Sequence, residues 1–460
     1  MTGSSLLEQQ RLTLPLAVHA LIASITGALL GFDLCIAGAI LTPVQRALEL
    51  CYPCGDGSDT ALARCSCVEK QLVISAVSIG ACLGALFGGL VADRVGRRPA
   101  LLASDLLFGA GGAAMAFATK SATWLFFVGR ASVGLALGLG GAAASAYLAE
   151  IAPAAWRGRF LELMELCVCV GCLGAYAVAY GLGDSRWRAS IGLTTPCRLQ
   201  LLLILLLLHE SPHWLTAHGF TRSAAKARAV LGPPTAVATI EVVAAGSGAE
   251  EESPLICAGR RGALRHLGAR QAARELWLAR RPLAVALGVA TAHAATAANT
   301  VGLAKVAGVL AALALTDRLG RRVLLIGGTT CMALSLCGLA GAFADEAHPS
   351  PGLALASLLV FILGWDISWA GLMLAVVAEV LPQRVRGTGT GLAYGLYWLL
   401  SFVTAQFLES AIHALGSAPT FSAIGGMCGI VLLWTWRCVP ETANRSLEEM
   451  EETSHAVRRE

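Results

Sequence analysis

Asp93-Arg-Val-Gly-Arg-Arg98 and Asp317-Arg-Leu-Gly-Arg-Arg322 are nearly the same hexapeptide written twice, 224 residues apart, each in a short gap between long apolar runs. A second motif, Glu150-x-x-Pro153-x-x-x-Arg157-Gly158, returns 229 residues on as Glu379-x-x-Pro382-x-x-x-Arg386-Gly387. A looser third pair, Glu210-Ser-Pro212 and Pro440-Glu441-Thr442, keeps nearly the same offset. Three motifs in one order at one spacing describe a duplicated unit, and a duplication has to be read before any individual site.

The apolar runs between the motifs set the class. Of the 460 residues 56% are hydrophobic and 14% charged, against roughly 45–50% and 25% in soluble proteins. A soluble globular protein is excluded. A helix needs about 20 apolar residues to cross a hydrocarbon core of ~30 Å, and runs of that kind predict an all-α membrane protein with spans at 14–42, 71–92, 100–119, 122–149, 160–182 and 189–208, then 282–299, 300–316, 323–344, 352–378, 387–411 and 419–438. The expected organisation is an N-terminal six-helix half over 1–208, a cytoplasmic linker over 209–281, a C-terminal half over 282–439 and a cytoplasmic tail over 440–460. The first span, with no small-residue cleavage site after it, reads as a retained signal anchor.

Most of the 34 Lys and Arg fall in segments that are cytoplasmic if both termini are, which is the asymmetry the positive-inside rule requires. The net charge of +4 is dispersed in short clusters; no basic stripe exists to follow a phosphate backbone, so nucleic-acid partners are excluded. The first outer loop then holds Cys51, Cys54, Cys65 and Cys67, in a compartment that permits disulfides. The sequon at Asn444 falls on the cytoplasmic side, where it is not glycosylated. No nucleophile, metal-ligand or nucleotide motif stands in the chain, so no enzyme activity and no cofactor is expected.

Duplicated halves related by an axis along the membrane normal are a transporter architecture, with substrate held between halves that rock. The motifs suit its cytoplasmic gate. Asp93, Arg97 and Arg157 in one half, and Asp317, Arg321 and Arg386 in the other, sit in turns too short for anything else. The carboxylates of Glu150, Glu210, Glu379 and Glu441 are then expected to pair with those arginines when the inner side is closed. Gly80, Gly84 and Gly88 form a small-xxx-small stripe for helix packing.

The same residues, together with Gly31-Phe-Asp33, Arg130 and Glu210-Ser-Pro-His-Trp-Leu215, resemble the sugar porter family of the major facilitator superfamily over nearly the whole chain. Within it, Glu165 in Met-Glu-Leu and the run Val301-Gly-Leu-Ala-Lys-Val306 look most like the facilitative glucose transporters of types 10 and 12. The resemblance implies the major facilitator fold and movement of a hexose by alternating access, facilitative or coupled to protons. By resemblance, Asp33 and Arg130 form the proton-coupling pair, Glu165 takes the span-five hydroxyl-binding position and Trp398 supports the cavity wall. The partners implied are the hexose, protons and the lipid bilayer of a plasma membrane or endomembrane.

Two departures stand out. Where sugar porters carry a Gln-Gln motif in span seven, this chain has His293-Ala-Ala-Thr-Ala-Ala-Asn299, leaving only His293 and Asn299 as sugar contacts there. The 35 residues from Pro282 to Thr316 make ~52 Å of helix at 1.5 Å per residue, short for two spans and a turn, so a truncated span 7/8 region with a tight hairpin near Asn299 is expected. In span ten the family's Gly-Pro…Trp pattern reads Ala370-Gly371…Leu374, with Trp369 displaced. Lys305 and Asp366 are further ionisable residues inside spans, and Asp366 has no family counterpart. The damaged segments keep two other readings open: a transport-impaired relative acting as sensor or binding protein, and a porter for a polyol or dehydroascorbate.

Overall fold

The structure is a computed structural model that describes residues 13–50, 68–153, 156–192, 195–231, 297–345, 350–380 and 386–441. Among these residues every regular element is a helix. The first half comprises α1 (Leu14–Ala39), α2 (Leu41–Leu48), α3 (Val68–Val95), α4 (Arg97–Ala116), α5 (Trp124–Ile151), α6 (Arg157–Leu182), α7 (Trp187–Gly192) and α8 (Thr195–Leu206). Two short helices follow, α9 (Pro212–Ala217) and α10 (Thr221–Leu231). The second half comprises α11 (Ala297–Leu319), α12 (Arg321–Ala342), α13 (Pro351–Ile367), α14 (Trp369–Val380), α15 (Arg386–Leu415) and α16 (Ser417–Cys438). Ten helical stretches among the described residues are long and apolar enough to cross a membrane, and α11 adds the shorter apolar stretch Gly302–Thr316.

The expected spans one to six and eight to twelve match these helices closely, and span ten is broken at Ser368 into α13 and α14. Span seven and His293 lie outside the described residues, as do Cys51, Cys54, Cys65, Cys67 and Asn444. Helix α11 starts at Ala297 and runs through Asn299 without a break, so the chain does not turn at Asn299 itself, and the residues before Ala297, where the expected hairpin would turn, lie outside the described residues. Ala297 and Ala298 are strong helix formers, and Asn299 falls in a first turn.

Small residues decide how closely the helices approach. A Cβ on Gly80 or Gly84 of α3 would lie 2.3 and 2.2 Å from the backbone oxygens of Ala131 and Leu135 of α5, and one on Gly134 would lie 2.1 Å from Val77 of α3. The stripe is therefore a packing seam with glycine on both sides, as lipid-embedded helices need when no hydrophobic force holds them together. Helices α1 and α6 form a second seam, and Cys35 of α1 and Cys172 of α6 are bonded across it. The halves meet where α3 packs along α15 and where α6 packs on α11 and α14. A polar strip ties the first of these contacts: Ser75 donates to Gln406 at 2.7 Å, and Gln406 donates to Gln71 at 2.9 Å. Outward faces such as Leu396, Leu400, Ile430 and Leu433 stay exposed, as lipid-facing surfaces should.

Candidate functional site

At one end of the molecule the repeated motifs form paired clusters. Gly96 has φ of +113° and Gly320 of +89°, values that L side chains rarely adopt, so each hexapeptide turns sharply and starts a new helix. The first N–H groups of a helix have no partner within it. Here Glu210 supplies the acceptors for α4: its two carboxylate oxygens take the backbone N–H groups of Arg97 and Arg98, each at 3.0 Å. Glu441 does the same for α12, accepting from Arg321 at 2.9 Å and Arg322 at 3.2 Å. A carboxylate at a helix N-terminus is also favoured by the helix dipole.

The sequence reading expected these two glutamates to pair with arginine side chains; both also accept from the backbone amides that open the next helix. The side-chain pairing falls to Glu150, whose Oε1 receives the Arg97 guanidinium at 2.7 Å, while Arg97 also reaches Asp93 at 3.0 Å. Ser211 donates to the other Glu150 oxygen. Arg157 donates to the Ala149 carbonyl at 3.3 Å, stitching the start of α6 to the end of α5. Burial pushes the Glu210 carboxyl above the usual carboxylate range, opposed by the N–H groups of Ser211, Arg98 and Arg97 and by the Arg97 charge. Across the halves, the Arg321 guanidinium lies against Gly158, where a Cβ would be 3.1 Å from it. Both hexapeptides therefore stand at the same end of the molecule. The backbone of Arg386 opens α15; the side chains of Asp317, Glu379 and Arg386 are outside the described set.

Inside the first half, Asp33 of α1 and Arg130 of α5 meet. The Arg130 Nη1 donates to both Asp33 oxygens, at 2.7 and 2.9 Å, and its Nε donates to the Val73 carbonyl at 2.9 Å. Both residues are buried, and they line a small cavity with Phe32, Phe108 and Phe126. Charge and hydrogen-bonding capacity are matched on both sides, which is the condition for a buried ion pair to persist.

A different group stands where the halves meet. Glu165 of α6 interacts electrostatically with Lys305 of α11 and Asp366 of α13, and it also lies near Tyr394 and Tyr397 of α15. Those tyrosines stack parallel to each other at 5.9 Å, Trp398 sits edge-on to both, and Trp365 stacks on Tyr397 at 6.4 Å. The reading from sequence had Glu165 and Trp398 but missed Tyr394, Tyr397 and Trp365. Tyr394 and Tyr397 lie on the same α15 segment as Trp398, one turn of helix or less away, and that spacing was the available signal. Trp369 is turned aside: its Nε1 donates to Thr329 of α12 at 2.8 Å.

A family profile described as "Sugar (and other) transporter" matches residues 19–252 and 283–453. The chain belongs to that family. Its members are transporters and not enzymes. Among relatives, a probable plastidic glucose transporter 3 of Arabidopsis thaliana is 29% identical over 451 residues, covering 94% of this chain and 87% of its own. A D-xylose transporter of Levilactobacillus brevis is 27% identical, covering 94% of each, and the facilitated glucose transporter member 8 of solute carrier family 2 from Mus musculus is 26% identical, covering 82% of this chain and 83% of its own. The solved proton:xylose symporter XylE, bound to 6-bromo-6-deoxy-D-glucose, superposes with a TM-score of 0.74 at 23% identity, covering 95% of this chain and 98% of that one. The fold is that of the major facilitator superfamily, and the chain is a multi-pass integral membrane protein.

Proposed function

We propose that this family member moves a hexose across the membrane by alternating access of its two halves, 1–208 and 282–439, joined by the linker 209–281 and followed by the tail 440–460. The observation that carries the reading is the group at the interface of the halves: one carboxyl, Glu165, beside a wall of Tyr394, Tyr397, Trp398 and Trp365. A sugar needs a few convergent polar groups for its hydroxyls and aromatic faces for its C–H surface, and relatives named as glucose and xylose transporters support that substrate class. His293 and Asn299 are further candidates for contact. Both termini are cytoplasmic in this reading, from the distribution of Lys and Arg, in a plasma membrane or endomembrane. The Arg97 and Arg321 clusters, with Asp93, Glu150, Arg157, Glu210, Asp317, Glu379, Arg386 and Glu441, then form the inner gate. Contact of Arg321 with Gly158 holds the inner ends together, and losing it opens them.

Asp33 and Arg130 are the proton-coupling pair of this proposal: a proton on Asp33 frees Arg130, and the pair reforms when it leaves. A transport-impaired sensor or binding protein is the second reading. It draws support from Trp369, which bonds to Thr329 and leaves the span-ten wall without that aromatic.

Radiolabelled hexose uptake into vesicles reconstituted with the purified protein tests both readings. Saturable uptake stimulated by an inward proton gradient supports symport, uptake indifferent to the gradient supports facilitated transport, and binding without uptake supports the sensor. Polyol or dehydroascorbate uptake in place of hexose would move the substrate class. Asp33→Asn should abolish acid stimulation while sparing sugar exchange; equal pH dependence in mutant and parent would sink the coupling role.

A further inference from the structure

Lys305 and Asp366 lie within spans of the second half and face a span of the first. The Lys305 Nζ donates to Asp366 Oδ1 at 3.1 Å, and the Asp366 side chain is fully buried. Its second oxygen, Oδ2, is buried without a hydrogen-bond partner among the described residues. Helix α11 is pressed onto α13 here, since a Cβ on Gly308 would lie 2.7 Å from the Asp366 Cβ. Helix α13 then ends at Ile367 and the chain restarts as α14 at Trp369, so Asp366 occupies the last turn before a break. Discontinuous helices of this kind mark ion and substrate sites in transporters.

The charges do not balance. Glu165 of α6 interacts electrostatically with Lys305 and Asp366 across the interface. Among the described residues, the other titratable groups around the trio are Cys167 and Cys169 on α6 and Tyr394 and Tyr397 on α15, and none of them is a cation. Two carboxylates thus share one ammonium. A net charge inside the hydrocarbon region is costly, and ionisable groups there neutralise or pair. When like charges share a site, one of them keeps its proton.

We propose that Glu165, Lys305 and Asp366 form a second proton-binding site, spanning the interface of the two halves and sharing no residue with the Asp33–Arg130 pair. The proton rests on the Glu165 carboxyl, and the Lys305–Asp366 pair stays ionised beside it; taking up the proton converts one carboxylate to one carboxylic acid. A neutral carboxylic acid both donates and accepts hydrogen bonds, whereas a carboxylate only accepts. In the sugar-binding reading of Glu165, on which this extension alone rests, the proton therefore lets the residue donate to one sugar hydroxyl and accept from another.

Infrared spectroscopy of the purified protein in lipid vesicles tests the site without any sugar. The wild-type minus Glu165→Gln difference at neutral pH should contain a protonated-carboxyl absorption worth about one group per chain. Asp33→Asn should leave that absorption in place. Lys305→Met removes the one cation of the trio, so it should gain about one further protonated carboxyl. Spectra in which neither Glu165→Gln loses nor Lys305→Met gains this absorption overturn the proposal. If Glu165→Gln does not fold, Lys305→Met decides alone: a gain supports the site and a wild-type spectrum refutes it. Failure of the sugar reading would appear in the uptake assay and leave these spectra unchanged.

Discussion

At the motif end of the first half, Gly96 turns the chain and both Glu210 oxygens receive the N–H groups that open α4; in the second half Gly320 and Glu441 do the same for α12. Inside the membrane the halves part company. The first half seals Asp33 against Arg130 with charge and hydrogen bonds matched. The second holds Lys305 against Asp366 with one carboxylate oxygen unpartnered among the described residues, and Glu165 of the other half interacts electrostatically with them. Both turns meet the same demand, acceptors for the first N–H groups of a helix, and both copies meet it with a glutamate. Interior charges answer to whatever they bind, and there the copies diverged.

The largest expected effect tests the matched pair. Arg130→Leu leaves the Asp33 carboxylate buried without its cation and should cost about 3–5 kcal/mol, measured as thermal unfolding of the purified protein. The double variant Asp33→Leu/Arg130→Leu should recover most of that loss. A double variant as unstable as the single would mean that the pair is not a balanced unit, and the contrast with the second half would fail.

A smaller effect tests whether the two turns are copies. Gly96→Ala and Gly320→Ala each force a Cβ into a left-handed backbone, 2.5 Å from a carboxylate oxygen of Glu210 or Glu441. Each should cost about 1–3 kcal/mol. The two costs should agree within roughly 0.5 kcal/mol, the usual error of such comparisons; a wider gap in unfolding midpoints, converted to free energy, breaks the equivalence.

Smallest of the three is the loss of the caps themselves. Glu210→Gln and Glu441→Gln keep an acceptor oxygen but lose the charge that favours a helix N-terminus. About 0.5–2 kcal/mol is expected for each, in the same denaturation assay.

Much of the fold was legible in the sequence because membrane spans announce themselves by length and apolarity, and because a duplication repeats its motifs in order. The shortness of 282–316 fixes how much chain is available and not where it bends, and α11 already runs through Asn299. The repeated acids and arginines were legible as a set, but their partners were not. Nothing in Glu210-Ser-Pro212 says that the carboxylate seeks two backbone amides more than a hundred residues away. The aromatic wall was half seen: Trp398 came from resemblance, while Tyr394 and Tyr397 were hidden in an apolar run where tyrosine reads as ordinary filling.

By itself, the sequence determined that this protein lives in a membrane, that its two halves are copies, and that each copy carries an acid and an arginine cluster at its turns. Those properties follow from composition and repetition, which are local and one-dimensional. Tertiary structure alone decided that Glu210 and Glu441 cap helices, that Trp369 turns to Thr329, and that Glu165 interacts electrostatically with Lys305 and Asp366. The three ionisable residues come from three helices and both halves, so the charge imbalance between them exists only once α6, α11 and α13 are packed together.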